Sequence, residues 1–226
     1  MTEKIKQLLQ ENREKLPIRD LLIDANRFCI TKMCQRIVRN DTKVLFLVTY
    51  KGVFVCIVKT MRDVSFNEKL KREKASQEAL IHAGISSVPR VYFDGMINEH
   101  YVYGEEIVAG ELISKDLARR KESEIVGIIR SFPVYDAIST IEIARIFSEY
   151  APADDKNIQA LLRILYDKEL MLKKGLTHSD LGRPNIMQSS DKLYIIDWER
   201  AGDRPFYLID AVYFMIKTRD VKTVEE

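Results

Sequence analysis

Glycine is scarce where a nucleotide-binding protein would most use it. None of the 9 glycines precedes Gly52, which excludes a G-x-G-x-x-G phosphate loop from the first 51 residues. The three cysteines, Cys29, Cys34 and Cys56, are unevenly spaced and form no C-x-x-C pair. That excludes a disulfide framework or zinc finger and fits a reducing compartment. No run of about 18 apolar residues occurs, so no membrane span is expected. Met1-Thr2-Glu3-Lys4-Ile5-Lys6 carries no apolar signal core, so the expected location is the cytoplasm. Neither sign of charge dominates: 36 Lys and Arg face 34 Asp and Glu, a net +2. This balance gives no nucleic-acid signal and no polybasic membrane anchor. The basic clusters at 69–72 and 119–121 lie among glutamates and read as solvated helix faces. The three histidines share no common context, which argues against a histidine metal site. No repeat or low-complexity segment is present.

The 226 residues are 46% hydrophobic and 31% charged, enough for one or two compact domains. Residues 2 to 15 read as an amphipathic helix capped by Thr2 and ended by Pro17. Three β-rich runs follow, Met33–Arg39, Lys43–Tyr50 and Val53–Thr60, with turn-like linkers between them. A charged helix is expected over 66–83, closed by Gly84. Val88–Phe93 and His100–Tyr103 read as strands around an Asp94-Gly95 turn. After a connector to Gly110 the pattern turns helical, over 115–130, 137–150 and 155–174. Two short strands joined by Asp191-Lys192 and a last helix from Ile209 complete it. These elements divide the chain into an N-terminal helical extension (1–26), a β-rich unit (27–110) and a helical unit (111–226).

The residues that carry chemistry lie in Thr177-His178-Ser179-Asp180-Leu181-Gly182-Arg183-Pro184-Asn185-Ile186-Met187 and Ile195-Ile196-Asp197-Trp198-Glu199. An aspartate, an asparagine five positions later and an aspartate ending an apolar strand suit metal-assisted phosphoryl transfer. Asp180 would take or orient the proton of an attacking hydroxyl. Asn185 and Asp197 offer oxygens to magnesium, which prefers oxygen ligands and keeps waters. Lys59, at the end of the third run, can meet α- and β-phosphates. Glu73 on the following helix can aim it, and Glu78 competes for that role. The turn Asn40-Asp41-Thr42 can offer backbone N–H groups to phosphate or be a plain hairpin turn. His178 and Trp198 read as packing residues. Asp210 either caps the last helix or braces the loop before Asp180.

These segments resemble the protein kinase superfamily in its compact atypical branch. H-S-D-L-G-R-P-N-I-M is similar to the H-G-D-L-x-x-x-N-I segment of aminoglycoside and choline kinases and of small Rio-like and archaeal kinases. I-I-D-W-E resembles the I-D-W-E of the aminoglycoside kinase group. The resemblance covers roughly residues 30 to 217. It implies a two-lobed α+β kinase-like fold that binds ATP and Mg²⁺, with Glu106 and Val108 meeting adenine through their backbone. Phosphate contacts would come from Lys59, Asn40 and Thr42. The chain departs from the pattern at Ser179, where glycine or arginine is usual, at Gly182 in place of a lysine, and at Trp198 in place of phenylalanine. Glu105 is an unusually polar gatekeeper-like residue. There is no A-P-E segment, and the peptide-binding helices of large protein kinases are expected to be absent. The implied activity is transfer of the γ-phosphoryl group to a hydroxyl. A minimal atypical serine/threonine protein kinase is the first expectation. A small-molecule kinase for a sugar, aminoglycoside-like or choline-like alcohol is the second, with residues 111–153 as a substrate wall. A nucleotide-binding pseudokinase is the third.

Overall fold

The computed structural model describes residues 1–18, 23–33, 43–150, 156–167, 170–204 and 207–219. Helix α1 (Thr2–Glu11) buries Ile5 and Leu9. Thr2 does not cap it: the residue already lies in the first turn, the N-cap position falls to Met1, and no side chain caps the helix.

The N-terminal lobe is a five-stranded antiparallel sheet. Its strands are β1 (Phe28–Lys32), β2 (Lys43–Tyr50), β3 (Val53–Met61), β4 (Val91–Ile97) and β5 (His100–Glu105), in the order β1-β2-β3-β5-β4. The first strand lies earlier than the run expected from Met33. Phe28 pairs with Tyr50 and stacks on it with ring centroids 5.0 Å apart, so the core selects Phe28 as the anchor. Met33 follows the strand, and 34–39 lie outside the described residues. The turn between β4 and β5 is Asn98-Glu99, both at positive φ, not Asp94-Gly95, which sits inside β4. Asparagine tolerates the left-handed turn region. Gly95 packs closely instead: a Cβ there would come within 3.1 Å of the Leu8 side chain on α1, which would have to shift.

One sheet face packs on α1 through Ile5, Leu9, Val48, Val58, Phe93 and Val102. Helix α2 (Asn67–His82) covers Tyr101 and Tyr103 with Leu70. Its far end leaves the sheet, and Leu80, Ile85 and Val88 join the core of the second lobe. Gly84, at φ +81, ends the helix by donating its N–H to the Ile81 carbonyl.

In the second lobe, β6 (Glu111–Leu112), α3 (Lys115–Arg120) and α4 (Glu122–Arg130) precede β7 (Val134–Ser139), α5 (Thr140–Tyr150) and α6 (Lys156–Asp167). The helix expected over 155–174 stops at Asp167. Met171–Thr177 is strand β8, which pairs antiparallel with β7. A Cβ on Gly175 would meet the Pro133 carbonyl at 2.5 Å, so this close pairing needs glycine there. Strands β9 (Ile186–Ser189) and β10 (Lys192–Ile195) form the expected hairpin, but its turn is Ser190-Asp191, since Lys192 already pairs with Ser189. Strand β11 (Gly202–Arg204) pairs with β8, and α7 (Ile209–Arg219) is the last of the described elements. The result is a two-lobed α+β fold. Among the described residues no helix is long and apolar enough to cross a membrane.

Candidate active site

Strand alternation brings Lys59 from β3 to the inner face of the sheet, 6% exposed. Its Nζ lies 2.6 Å from Glu73 Oε1 and 2.7 Å from Glu105 Oε1. Glu73 shares the buried face of α2 with Leu70, Ser76, Gln77 and Leu80, the spacing of one helical stripe. Glu78 falls off that stripe and pairs with Lys74 instead, at 2.8 Å.

Sequence reasoning missed a second lysine. Lys43 opens β2 and shares its inner face with Leu45; both line the cavity between the lobes. Its Nζ is 2.6 Å from Asp197 Oδ1 and 3.1 Å from both Glu73 Oε2 and Glu199 Oε2. Strand alternation puts Lys43 on the side of Leu45, but only the pairing of Leu45 with Lys59 brings that side to the site. Glu105 joins the network by accepting from Gln77 Nε2 (2.8 Å) and the Tyr103 hydroxyl (3.3 Å).

Burial by itself would lower the lysine pKa values. For Lys43 the carboxylates of Glu73, Asp197 and Glu199 outweigh it and hold the ammonium above its ordinary range. Glu105 and Glu73 do the same for Lys59, against repulsion from Lys43. Burial would raise Glu73, but the two ammonium groups outweigh that and hold its carboxyl below the ordinary 4.5. Each charge is kept ionised by its neighbours.

The segment around Asp180 is held from below. Asp210 accepts the backbone N–H groups of His178 (2.5 Å) and Ser179 (2.9 Å), so it braces this loop. His178 is buried against Trp198, with ring centroids 4.7 Å apart. Its Nε2 donates to the Ile196 carbonyl at 2.8 Å, which fixes the tautomer, since a carbonyl only accepts. Trp198 is fully buried and donates to the Ile195 carbonyl. Asn185 Nδ2 donates to the Asp180 carbonyl at 2.8 Å, leaving its amide oxygen for the cavity. Ser179 and Asp197 both have positive φ, 63° and 64°. Such strain in residues other than glycine gathers at functional sites.

Two cavities meet here. The first, about 330 Å³, is lined by Lys43, Lys59, Glu105, Glu106 and Val108 above and by Pro184, Asn185 and Asp197 below. The second, about 390 Å³, is lined by Asp180, Gly182, Arg183, Tyr213 and Lys217, and again by Pro184, Asn185 and Asp197. Glu106 donates its N–H to the Arg90 carbonyl, so its carbonyl is the group it can offer a ligand. Asn40 and Thr42 lie outside the described residues. Among the described residues, none of the expected wall from 111 to 153 lines the second cavity. Ile113, Ala118, Ile125 and Ile129 pack into the lobe's core, and α7 supplies the wall instead.

With oxygen donors from Asn185 and Asp197 between the cavities, the donor chemistry suits magnesium. Among the described residues no group of three or more His, Cys, Asp or Glu side chains is arranged to hold a metal by itself.

No family model matches the chain, and no curated protein matches it. Solved structures do. One described as a fructosamine-3-kinase from Haemophilus somnus aligns over 98% of this chain and 83% of its own, with 13% identity and a TM-score of 0.62. The aminoglycoside phosphotransferase APH(3'')-Id from Streptomyces rimosus aligns over 87% and 80%, with 16% identity and a TM-score of 0.54. The choline kinase LicA from Streptococcus pneumoniae aligns over 96% and 78%, with 15% identity and a TM-score of 0.51. LicA in complex with AMP aligns over 96% and 77%, with 15% identity and a TM-score of 0.50. The chain therefore has the bilobal protein-kinase-like fold.

Proposed function

We propose that this protein is an ATP-dependent phosphotransferase acting on the hydroxyl of a small molecule. The observation that carries the reading is the meeting of the two cavities at Asn185 and Asp197. ATP would occupy the cavity between the lobes, with its base at the Glu106 carbonyl and the Val108 N–H. Lys59 and Lys43 would hold the phosphates, aimed by Glu73 and Glu105. Asn185 and Asp197 would hold magnesium, which when bound neutralises charge on the transferred group. Asp180, beside the second cavity, accepts the hydroxyl proton as the alcohol oxygen bonds to the γ-phosphorus and the bond to ADP breaks.

A small acceptor fits better than the protein acceptor first expected from the sequence. The matching structures carry the names of fructosamine, aminoglycoside and choline kinases. The space beside Asp180, about 390 Å³ with α7 on one side, has the size of a small-molecule pocket. The pseudokinase alternative is disfavoured because Lys59 and Asp180 line adjoining cavities that share Asn185 and Asp197. The test is transfer of label from γ-labelled ATP to small alcohols. Wild type transfers, and Asp180→Ala binds ATP but transfers at least about 100-fold more slowly. Equal absence of transfer in both, with ATP bound, would sink the enzyme reading.

A further inference from the structure

The charge around the acceptor cavity is unusual for a kinase of cationic alcohols. Among the described residues, the carboxylates that line it are Asp180 and Asp197, and the proposed chemistry uses both. The rest of the charged wall is cationic. Arg183 and Lys217 line the cavity, and among the described residues neither has a carboxylate within ion-pair distance. Lys217 Nζ sits 5.4 Å from the Tyr213 ring centroid, a cation–π contact that holds the ammonium at the rim. Arg200 lies 3.8 Å from Asp180 Oδ2, and Arg204 donates to Ser179 Oγ at 3.3 Å.

We propose that the acceptor is a small hydroxyl compound bearing an anionic group, a carboxylate or a phosphate, bound by Arg183 and Lys217. This rests on the phosphotransferase reading above and narrows its substrate class. A guanidinium and an ammonium lining one cavity can hold such a group in place while leaving a neighbouring hydroxyl at Asp180. A quaternary ammonium or polyamine acceptor would meet two cations, and like charges facing each other oppose binding.

The acceptor need not be identified in advance. A small-molecule filtrate of cell extract is split by anion and cation exchange, and each fraction is incubated with the full chain, Mg²⁺ and γ-labelled ATP. Glycerate, glycerol 3-phosphate, glycerol and choline serve as defined probes. Label is expected in the anion-exchange fraction. Pretreatment of that fraction with phosphatase, then removed, separates the sources: lost labelling identifies a phosphate, and retained labelling a carboxylate. Lys217→Ala is expected to raise KM for the labelled acceptor about tenfold, with kcat within about twofold and the KM for ATP unchanged. Rescue by Lys217→Arg and a wild-type KM that climbs with salt are expected too. A thermal melt of each variant separates lost binding from lost folding, and Arg183→Gln gives a second, independent variant. Label confined to the cation-exchange fraction or to choline overturns the anionic assignment alone. An acceptor KM unmoved by both variants, each folded, overturns it as well. No label in any fraction overturns the phosphotransferase reading and this proposal with it.

Discussion

Lys43→Met tests the charge network most directly. In the wild type one ammonium lies within 3.1 Å of Glu73, Asp197 and Glu199. Removing one partner of a buried ion pair costs about 3–5 kcal/mol. Here the cost is smaller, because Glu73 keeps Lys59, and the Asp197 and Glu199 side chains are 43% and 28% exposed and so partly screened by water. A loss of about 2–3 kcal/mol follows, or roughly 5–10 °C in Tm for a chain of this size. Asp197 and Glu199, left without their cation, also invite another. Mg²⁺ without nucleotide should leave the wild-type Tm unchanged and recover several degrees in the variant. Nucleotide affinity should fall about 10- to 100-fold, the worth of one charged hydrogen bond to phosphate. Lys43→Arg should recover part of both losses. Scanning calorimetry with and without Mg²⁺, together with equilibrium titration of a fluorescent ATP analogue, reads all of this. A variant that melts with the wild type, ignores Mg²⁺ and binds nucleotide equally well would refute the reasoning.

Two further predictions come from the same site. Glu73 has a lowered carboxyl pKa in the folded protein, so its contribution is at full strength above its ordinary 4.5 and is lost as pH falls through the lowered value. The raised lysines contribute fully below their ordinary 10.5 and lose that contribution only as pH rises through their raised values. The cluster therefore stabilises evenly between these limits. In urea unfolding, the deficit of Glu73→Gln against wild type should shrink below about pH 4, and a deficit constant into acid would contradict the assignment. Ser179 pairs backbone strain at φ +63° with a hydroxyl contact to Thr177 Oγ1 at 2.9 Å. Ser179→Gly relieves the strain and loses the contact, leaving stability within about 1 kcal/mol. Ser179→Val keeps the strain with a branched side chain and should cost about 2 kcal/mol or more. Equal melting of the two variants would show that the backbone at this position is not strained.

Much of the candidate site was legible because the proposed phosphoryl transfer requires particular side chains in order along the chain. Asp180, Asn185 and Asp197 lie within one loop and hairpin, where spacing alone brings them near each other. Glu73 could be preferred over Glu78 because its position, eleven residues before Gly84, is a local spacing along the chain. Lys43 and Glu105 were not legible in this way. Each looks like an ordinary strand-end charge until antiparallel pairing sets Lys43, Lys59 and Tyr103 on neighbouring strands of the sheet. The β8 strand was read as helix because Leu170 and Leu172 continue a helical pattern. Only pairing with β7 decides otherwise.

By itself the sequence carried the two-part α+β pattern and pointed to the proposed chemistry and its candidate base and metal donors, because these rest on residue type and short-range spacing. The tertiary structure alone decided which charges meet. It set Lys43 among three carboxylates from α2 and the segment after β10. It joined two cavities at Asn185 and Asp197, and it turned α7 toward Asp180. Those contacts join residues as many as 154 positions apart, and no local pattern encodes a distance that only the packing of two lobes creates.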